Sequence, residues 1–136
     1  MAKKIMLVTG SSRGIGAEIA KVASLQDYFV VINYTHSENE AKQLVESIQK
    51  NNGSAIAIKA DCSKESEIVR LFEEVDKLGT IDSLVANAGI IGGQNPITET
   101  TEAQLKELFD INVIGLILCV REAVKRMSTD LGGKGG

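Results

Sequence analysis

The segment Thr9-Gly10-Ser11-Ser12-Arg13-Gly14-Ile15-Gly16 has residue types and a spacing suited to holding an anion. A short apolar run, Ile5-Met6-Leu7-Val8, precedes it, and a helical pattern follows. At such a strand-to-helix turn, free N–H groups and the positive end of the helix favour negative charge. A dinucleotide pyrophosphate docks at this kind of turn. Gly10 permits the tight turn, Gly14 lets the backbone approach the phosphates, and Gly16 lets the helix pack closely on the sheet. The spacing is G-x-x-x-G-x-G, and no Gly-Lys-Ser/Thr follows, so this is not a P-loop. The competing reading is a glycine-rich turn with Ser11 and Ser12 as helix caps.

The second apolar run bears on which dinucleotide fits. An acid at the end of that strand binds a ribose 2′-OH in NAD sites. Here the strand ends Asn33-Tyr34-Thr35-His36, with no acid before Glu38. An acid would repel a 2′-phosphate, and its absence admits one. Arg13 can reach that phosphate as a charge-assisted donor, with Thr35, His36 and Ser37 as further donors. The expected cofactor is NADP(H), with NAD(H) as the runner-up. Competing readings make Arg13 a solvated surface charge, His36 an exposed loop residue with no metal, and Glu38 a first-turn helix acid.

These groups need a scaffold, and the periodicity supplies one. Short continuous apolar runs, each expected to be a strand buried on both faces, lie at Ile5–Val8, Phe29–Ile32, Ala55–Ile58 and Leu84–Ala86. Helical patterns separate them. Ile15, Ile19, Val22 and Ala23 share one face; Ala41, Leu44, Val45 and Ile48 share another; Ile68, Leu71, Phe72, Val75 and Leu78 share a third. Ser37-x-x-Glu40 and Thr101-x-x-Gln104 read as capping boxes, the second opening a long helix over Glu102–Met127. Asn51-Asn52-Gly53 and Gly79-Thr80 read as helix stops. Strands alternating with helices make an α/β fold, a Rossmann-type doubly wound parallel sheet with right-handed crossovers. The one proline, Pro96, sits in a Gly/Asn-rich loop after the fourth strand, at the edge where open α/β sheets bind ligands.

Composition narrows the partners. The 136 residues suit one domain, and 43% hydrophobic content suits a packed core rather than disorder. Fifteen basic residues against 18 acidic ones argue against nucleic acid. The two cysteines, Cys62 and Cys119, form no C-x-x-C or zinc pattern and read as small buried packing residues. The N-terminus has no signal-peptide pattern, and the longest apolar run, Ile111–Val120, is too short to span a bilayer. A soluble cytoplasmic protein with no membrane partner is expected.

The loop from Thr9 to Gly16, Asp61 after the third strand, Ala86-Asn87-Ala88-Gly89 after the fourth, and Asn112 in Phe109-Asp110-Ile111-Asn112-Val113 occur in that order. Together they resemble the short-chain dehydrogenase/reductase family, whose nucleotide loop is T-G-x-x-x-G-I-G and whose fourth strand leads into N-N-A-G. Arg121–Met127 looks more weakly like the family's sugar-alcohol and oxoacyl reductases. Ala86 departs from the first Asn of N-N-A-G. The resemblance implies hydride transfer between NADP(H) and a carbonyl or alcohol substrate. It implies cofactor contacts from Gly10, Ser12, Arg13, Gly14, Ile15, Gly16, Tyr34, Thr35, His36, Asp61, Cys62, Asn87, Ala88 and Gly89. A basic residue at the Arg13 position goes with NADP in that family. The resemblance also implies that Asp61 contacts the adenine and that Asn112 supports a catalytic proton relay through a water held by its helix. Asp61 read alone is a helix cap, though Ser63 is better placed for that, and Asn112 read alone is a helix-kinking polar residue.

Carbonyl reduction also needs an acid to protonate the alkoxide. In the family this is the Tyr of Y-x-x-x-K, assisted by an upstream Ser. The tyrosines here are Tyr28, followed four places on by Ile32, and Tyr34, followed by Glu38, so no Y-x-x-x-K occurs. Four of the last five residues are glycine, where the family would begin a fifth strand. Residues 1–136 are therefore expected to be an incomplete dinucleotide-binding domain, truncated or cleaved, with strand order 3-2-1-4. The chain alone is expected to be inactive, with a non-catalytic NADP(H)-binding module as the alternative. Strand four would have an open edge, and Leu105, Leu108, Ile114, Leu118 and Val120 would need cover, so a homo-oligomer or another chain is expected.

Overall fold

A computed structural model describes residues 2–136. Its elements are β1 (Lys4–Val8), α1 (Gly14–Leu25), β2 (Tyr28–Tyr34), α2 (Glu38–Lys50), β3 (Ser54–Lys59), α3 (Glu65–Asp76), β4 (Ile81–Val85), α4 (Glu102–Phe109) and α5 (Leu116–Met127). The four strands are parallel, in the order β3-β2-β1-β4. This is the Rossmann-type sheet that alternating strands and helices imply.

Alternation along β2 builds both layers. Val30 and Ile32 point to one face and Val31 to the other, and all three are fully buried. Val30 and Ile32 pack with Ala41, Leu44 and Ile48 of α2 and the alanines of α1. Val31 packs with Ile68, Leu71, Phe72 and Val75 of α3 and with Cys119 and Ala123 of α5. The strands thus bury both faces, as their continuous apolar runs require.

Five local expectations need correction. The face of α1 toward the sheet consists of Gly16, Ala17, Ala20, Ala23 and Ser24, with Ile19 partly buried beside them; of the expected face, Ala23 and Ile19 pack inward but Ile15 and Val22 do not. Ile15 is 76% exposed and Val22 59%, because only small residues allow the helix to approach this closely. Those larger side chains border an apolar groove of about 890 Å³ with Met6 and Tyr28. The Ser37 box does not form: Ser37 is the N-cap, but at φ −85, ψ 62 its hydroxyl makes no capping bond. Thr101 has the extended backbone that capping needs, and its box is complete. β4 ends at Val85, so Ala86 already belongs to the loop. Leu78 lies beyond the end of α3 and is exposed.

The fifth correction concerns the long helix. It is not uniformly α: Asp110–Gly115 is a π segment between α4 and α5. Gly115 is buried there, and any Cβ on it would run into the Cys62 carbonyl oxygen. The widened turn brings the helix backbone against the β3–α3 loop.

On α5, Glu122 is 3% exposed and is satisfied by cations. It meets Lys125 at 2.8 Å and Arg121 at 3.1 Å, with Arg126 at 3.6 Å. Arg126 forks onto Asp76 of α3 at 2.7 and 2.8 Å and lies over the Phe72 ring, pinning α5 to α3. Burial pushes the Glu122 carboxyl up, but the Lys125 and Arg121 donors outweigh it and hold it below its ordinary 4.5. A carboxylate with a lowered folded pKa stabilises the fold above its unfolded value, and that contribution is lost as pH falls through the folded one. Stability against urea is therefore expected to drop as pH falls below about 4.5, and Glu122→Gln to flatten the drop. An equal slope in the variant would contradict this role.

Candidate dinucleotide site

The carboxyl ends of β1, β2, β3 and β4 open onto a cleft of about 540 Å³. Gly10, Ser12, Arg13, Gly14 and Ile15 form one wall. Tyr34, Thr35 and His36 form the second, Asp61 and Cys62 the third, and Asn87, Ala88 and Gly89 the floor. The structure thus gathers in one cleft all but one of the residues expected at a cofactor, from four separate loops. Gly16 is the exception. It stands behind the loop, where a Cβ would sit 2.5 Å from Asn87 Nδ2 and 2.8 Å from the Gly10 carbonyl oxygen. Its part is the close packing of α1, as its position in the motif implies.

The anion-binding chemistry sits at the start of α1. Arg13 is the N-cap, and no side chain caps the helix, so neither Ser11 nor Ser12 is a cap. The first N–H groups of α1 therefore lack an intrahelical or side-chain acceptor. Gly14 holds φ +63, and a Cβ on it would meet nothing within 4 Å. This is the cradle a phosphate needs: open space, free amides and the positive end of the helix dipole. Arg13 is exposed on the rim of the same cleft, and His36 is exposed on the opposite side.

The remaining expected residues brace the cleft as well as line it. Asn87 Nδ2 donates to the Thr9 and Gly10 carbonyls at 3.0 and 2.9 Å. Thr9 Oγ1 accepts from the Asn87 and Ala88 amides, each at 3.0 Å. These four bonds join the loop after β4 to the glycine loop. Thr35 Oγ1 donates to the Ala60 carbonyl. Asp61 accepts from the Ser63 amide at 2.9 Å and the Ser63 hydroxyl at 2.6 Å. Burial raises the Asp61 pKa, but those two bonds, with Lys64 and His36, outweigh it and keep the carboxyl below its usual range. Neither Asp61 nor Ser63 caps α3, whose N-cap is Lys64. The Cys62 thiol is pushed up by contact with Cys119, by burial and by the nearby Asp61 and Glu67 charges, so it stays protonated.

Asn112 stands in the π segment and does not line the cleft. Its Oδ1 accepts from the Ile90 amide at 2.8 Å and its Nδ2 donates to the Ile90 carbonyl at 2.7 Å. The side chain thus clamps the loop that carries Asn87 to Gly89. Gly89 lies against it, since a Cβ there would be 3.3 Å from Asn112 Oδ1.

Ser37, expected as a further donor, also lines the cleft; the sequence reading missed Ser63, Ile90, Glu107 and Ile111 on the lining, and Asn33 beneath it. For Asn33 a signal existed: one amide side chain ends the otherwise apolar run Phe29-Val30-Val31-Ile32.

Comparison with known proteins agrees with this geometry. A family model described as short chain dehydrogenase matches residues 4–136. An uncharacterized oxidoreductase of Escherichia coli K12, YgfF, is 38% identical over 133 residues, covering 97% of this chain and 54% of that protein. Elsinochrome reductase 1 of Elsinoe fawcettii is 39% identical over 132 residues, covering 96% and 48%. A short chain dehydrogenase of Burkholderia cenocepacia, solved in complex with NADP, superposes with a TM-score of 0.84 at 34% identity, covering 90% and 50%. The chain spans about half the length of the relatives it matches.

Proposed function

This chain belongs to the short chain dehydrogenase family, and from that premise we propose that residues 1–136 are the dinucleotide-binding domain of an oxidoreductase acting with NADP(H) on a carbonyl or alcohol. The observation that carries the reading is the uncapped start of α1, where Gly14 opens onto the cleft beside Arg13. The free amides there would take the pyrophosphate, and Arg13 and His36 would face a 2′-phosphate. Asp61 and Cys62 would border the adenine. When bound, the nicotinamide supplies the hydride.

The residues divide the remaining work. Asn87 and Thr9 hold the glycine loop, and Asn112 holds Ile90. With both ends of its side-chain amide engaged by Ile90, Asn112 is a positioning residue, setting the floor on which the nicotinamide end would lie. The chain contains no Y-x-x-x-K, so we infer that it binds the dinucleotide without itself supplying the proton that carbonyl reduction needs. The same reading sets the protein in a cytoplasmic, reducing environment, in keeping with its free buried thiols. It also includes self-association, which the exposed Phe109, Ile117 and Val124 support. Among the described residues no helix is long and apolar enough to cross a membrane.

Fluorescence titration with NADPH and NADH tests the cofactor. NADPH is expected to bind more tightly, and Arg13→Ala to weaken NADPH about tenfold while leaving NADH nearly unchanged, as removal of one charge-assisted pair predicts. Equal affinity for the two cofactors in the wild type would overturn the assignment to NADP(H).

A further inference from the structure

Beneath the glycine loop lies a buried amide whose every polar group is in use. Asn33, at the carboxyl end of β2, is 1% exposed. Its backbone N–H donates to Ser11 Oγ at 3.2 Å, and its carbonyl accepts from the Ser11 amide at 2.9 Å. Its Oδ1 accepts from the Gly10 amide at 3.0 Å and faces the Cys62 thiol at 3.5 Å. Its Nδ2 donates to the Ala60 carbonyl at 3.1 Å and reaches the Ile58 carbonyl at 3.4 Å. One residue therefore ties the glycine loop to β2 and to the β3–α3 loop. Those are two walls of the cleft, one carrying Gly14 and Arg13, the other Asp61 and Cys62.

The arrangement also decides which amides can meet a ligand. The Gly10 N–H points inward to Asn33, so an anion has to take amides farther along, at the start of α1. A buried donor or acceptor left unpaired is costly, whereas a surface loop relaxes easily toward water. Loss of the Asn33 amide would therefore be relieved by movement of the glycine loop, and the gap between the two walls would change.

We propose that Asn33 is a positioning residue of the dinucleotide site, setting the glycine loop at the distance from Asp61 and Cys62 that a bound dinucleotide must span. The inference rests on the dinucleotide reading above, and its test separates the two. Calorimetric titration of the purified protein with NADP+ is compared between wild type and Asn33→Leu, which keeps the volume and removes the amide. The variant is expected to bind about tenfold or more weakly, as loss of several buried hydrogen bonds predicts, while retaining a cooperative melt and wild-type circular dichroism. A folded variant that binds within about twofold of wild type overturns the inference and leaves the dinucleotide reading standing. A wild-type protein that does not bind NADP+ overturns both.

A second measurement needs no variant. In hydrogen exchange of the wild type followed by NMR, the Gly10 amide is expected to be protected in the free protein and unchanged by NADP+, while the Gly14 and Ile15 amides respond to it. A Gly10 amide that exchanges freely, and becomes protected only when NADP+ is added, overturns the inference even if Asn33→Leu fails to fold.

Discussion

Gly14→Asp is expected to abolish measurable NADPH binding while leaving the fold intact. Gly14 opens α1 at φ +63 on the lining of the cleft, and a Cβ there would meet nothing within 4 Å. A carboxylate there stands where the phosphates would lie. Two like charges about 4 Å apart repel by roughly 4 kcal/mol at an effective dielectric constant near 20, which is several hundredfold or more in affinity. The cost to folding is small by comparison. Asp tolerates the left-handed region better than most residues, and an acid near a helix N-terminus gains about 0.3–1 kcal/mol from the dipole. Binding and stability should therefore separate cleanly. Gly14→Ala, which adds strain and no charge, is the control and should lose much less affinity. Fluorescence titration alongside thermal melting checks both, and undiminished NADPH affinity in a folded Gly14→Asp protein would sink the placement of the phosphates.

Gly115→Ala is expected to act in the opposite way, through the fold first. Gly115 lies in the π segment, where a Cβ would collide with the Cys62 carbonyl oxygen and sit 3.0 Å from that of Asp110. Both obstacles are backbone, so no side chain can swing aside. The helix must retreat from the β3–α3 loop, loosening Cys119 and Ala123 from the core and Arg126 from Asp76. Overpacking of this kind costs about 1–3 kcal/mol, and a backbone clash belongs at or above the upper end. Urea denaturation should show a lower midpoint with an unchanged slope. NADPH affinity should fall as well, because Cys62 and Asp61 line the cleft on the loop that is displaced. A variant within about 0.5 kcal/mol of wild type would show that the contact relaxes at little cost.

These two glycines differ in how far the sequence reveals them. Gly14 was legible because its reason is local: a glycine spacing at a strand-to-helix turn, read over eight residues. Gly115 was not, because its reason is the Cys62 backbone on another loop. The capping boxes make the same point. Ser37-x-x-Glu40 and Thr101-x-x-Gln104 are equivalent as patterns, yet only Thr101 has the backbone angles that aim its hydroxyl at the helix. On α1, the larger apolar side chains suggested the buried face, but close approach to the sheet selected the small ones. The site shows both cases. Most of its lining residues were legible from motifs and strand ends, whereas the partners of Asn33, Thr9, Asn87 and Asn112 were not.

What the sequence determined by itself is the order of strands and helices, the side of the sheet where the loops gather, and the chemical types placed in those loops. Periodicity and turn chemistry act within a few residues, so they survive without any knowledge of the fold. Only the tertiary structure decided which polar groups are spent inside the protein and which face the cleft. Gly10, Asn87 and Asn112 all belong to motifs, yet their hydrogen bonds go to Asn33, the glycine loop and Ile90. A buried polar group must find its partner wherever the packed chain offers one, and that partner lies on another element.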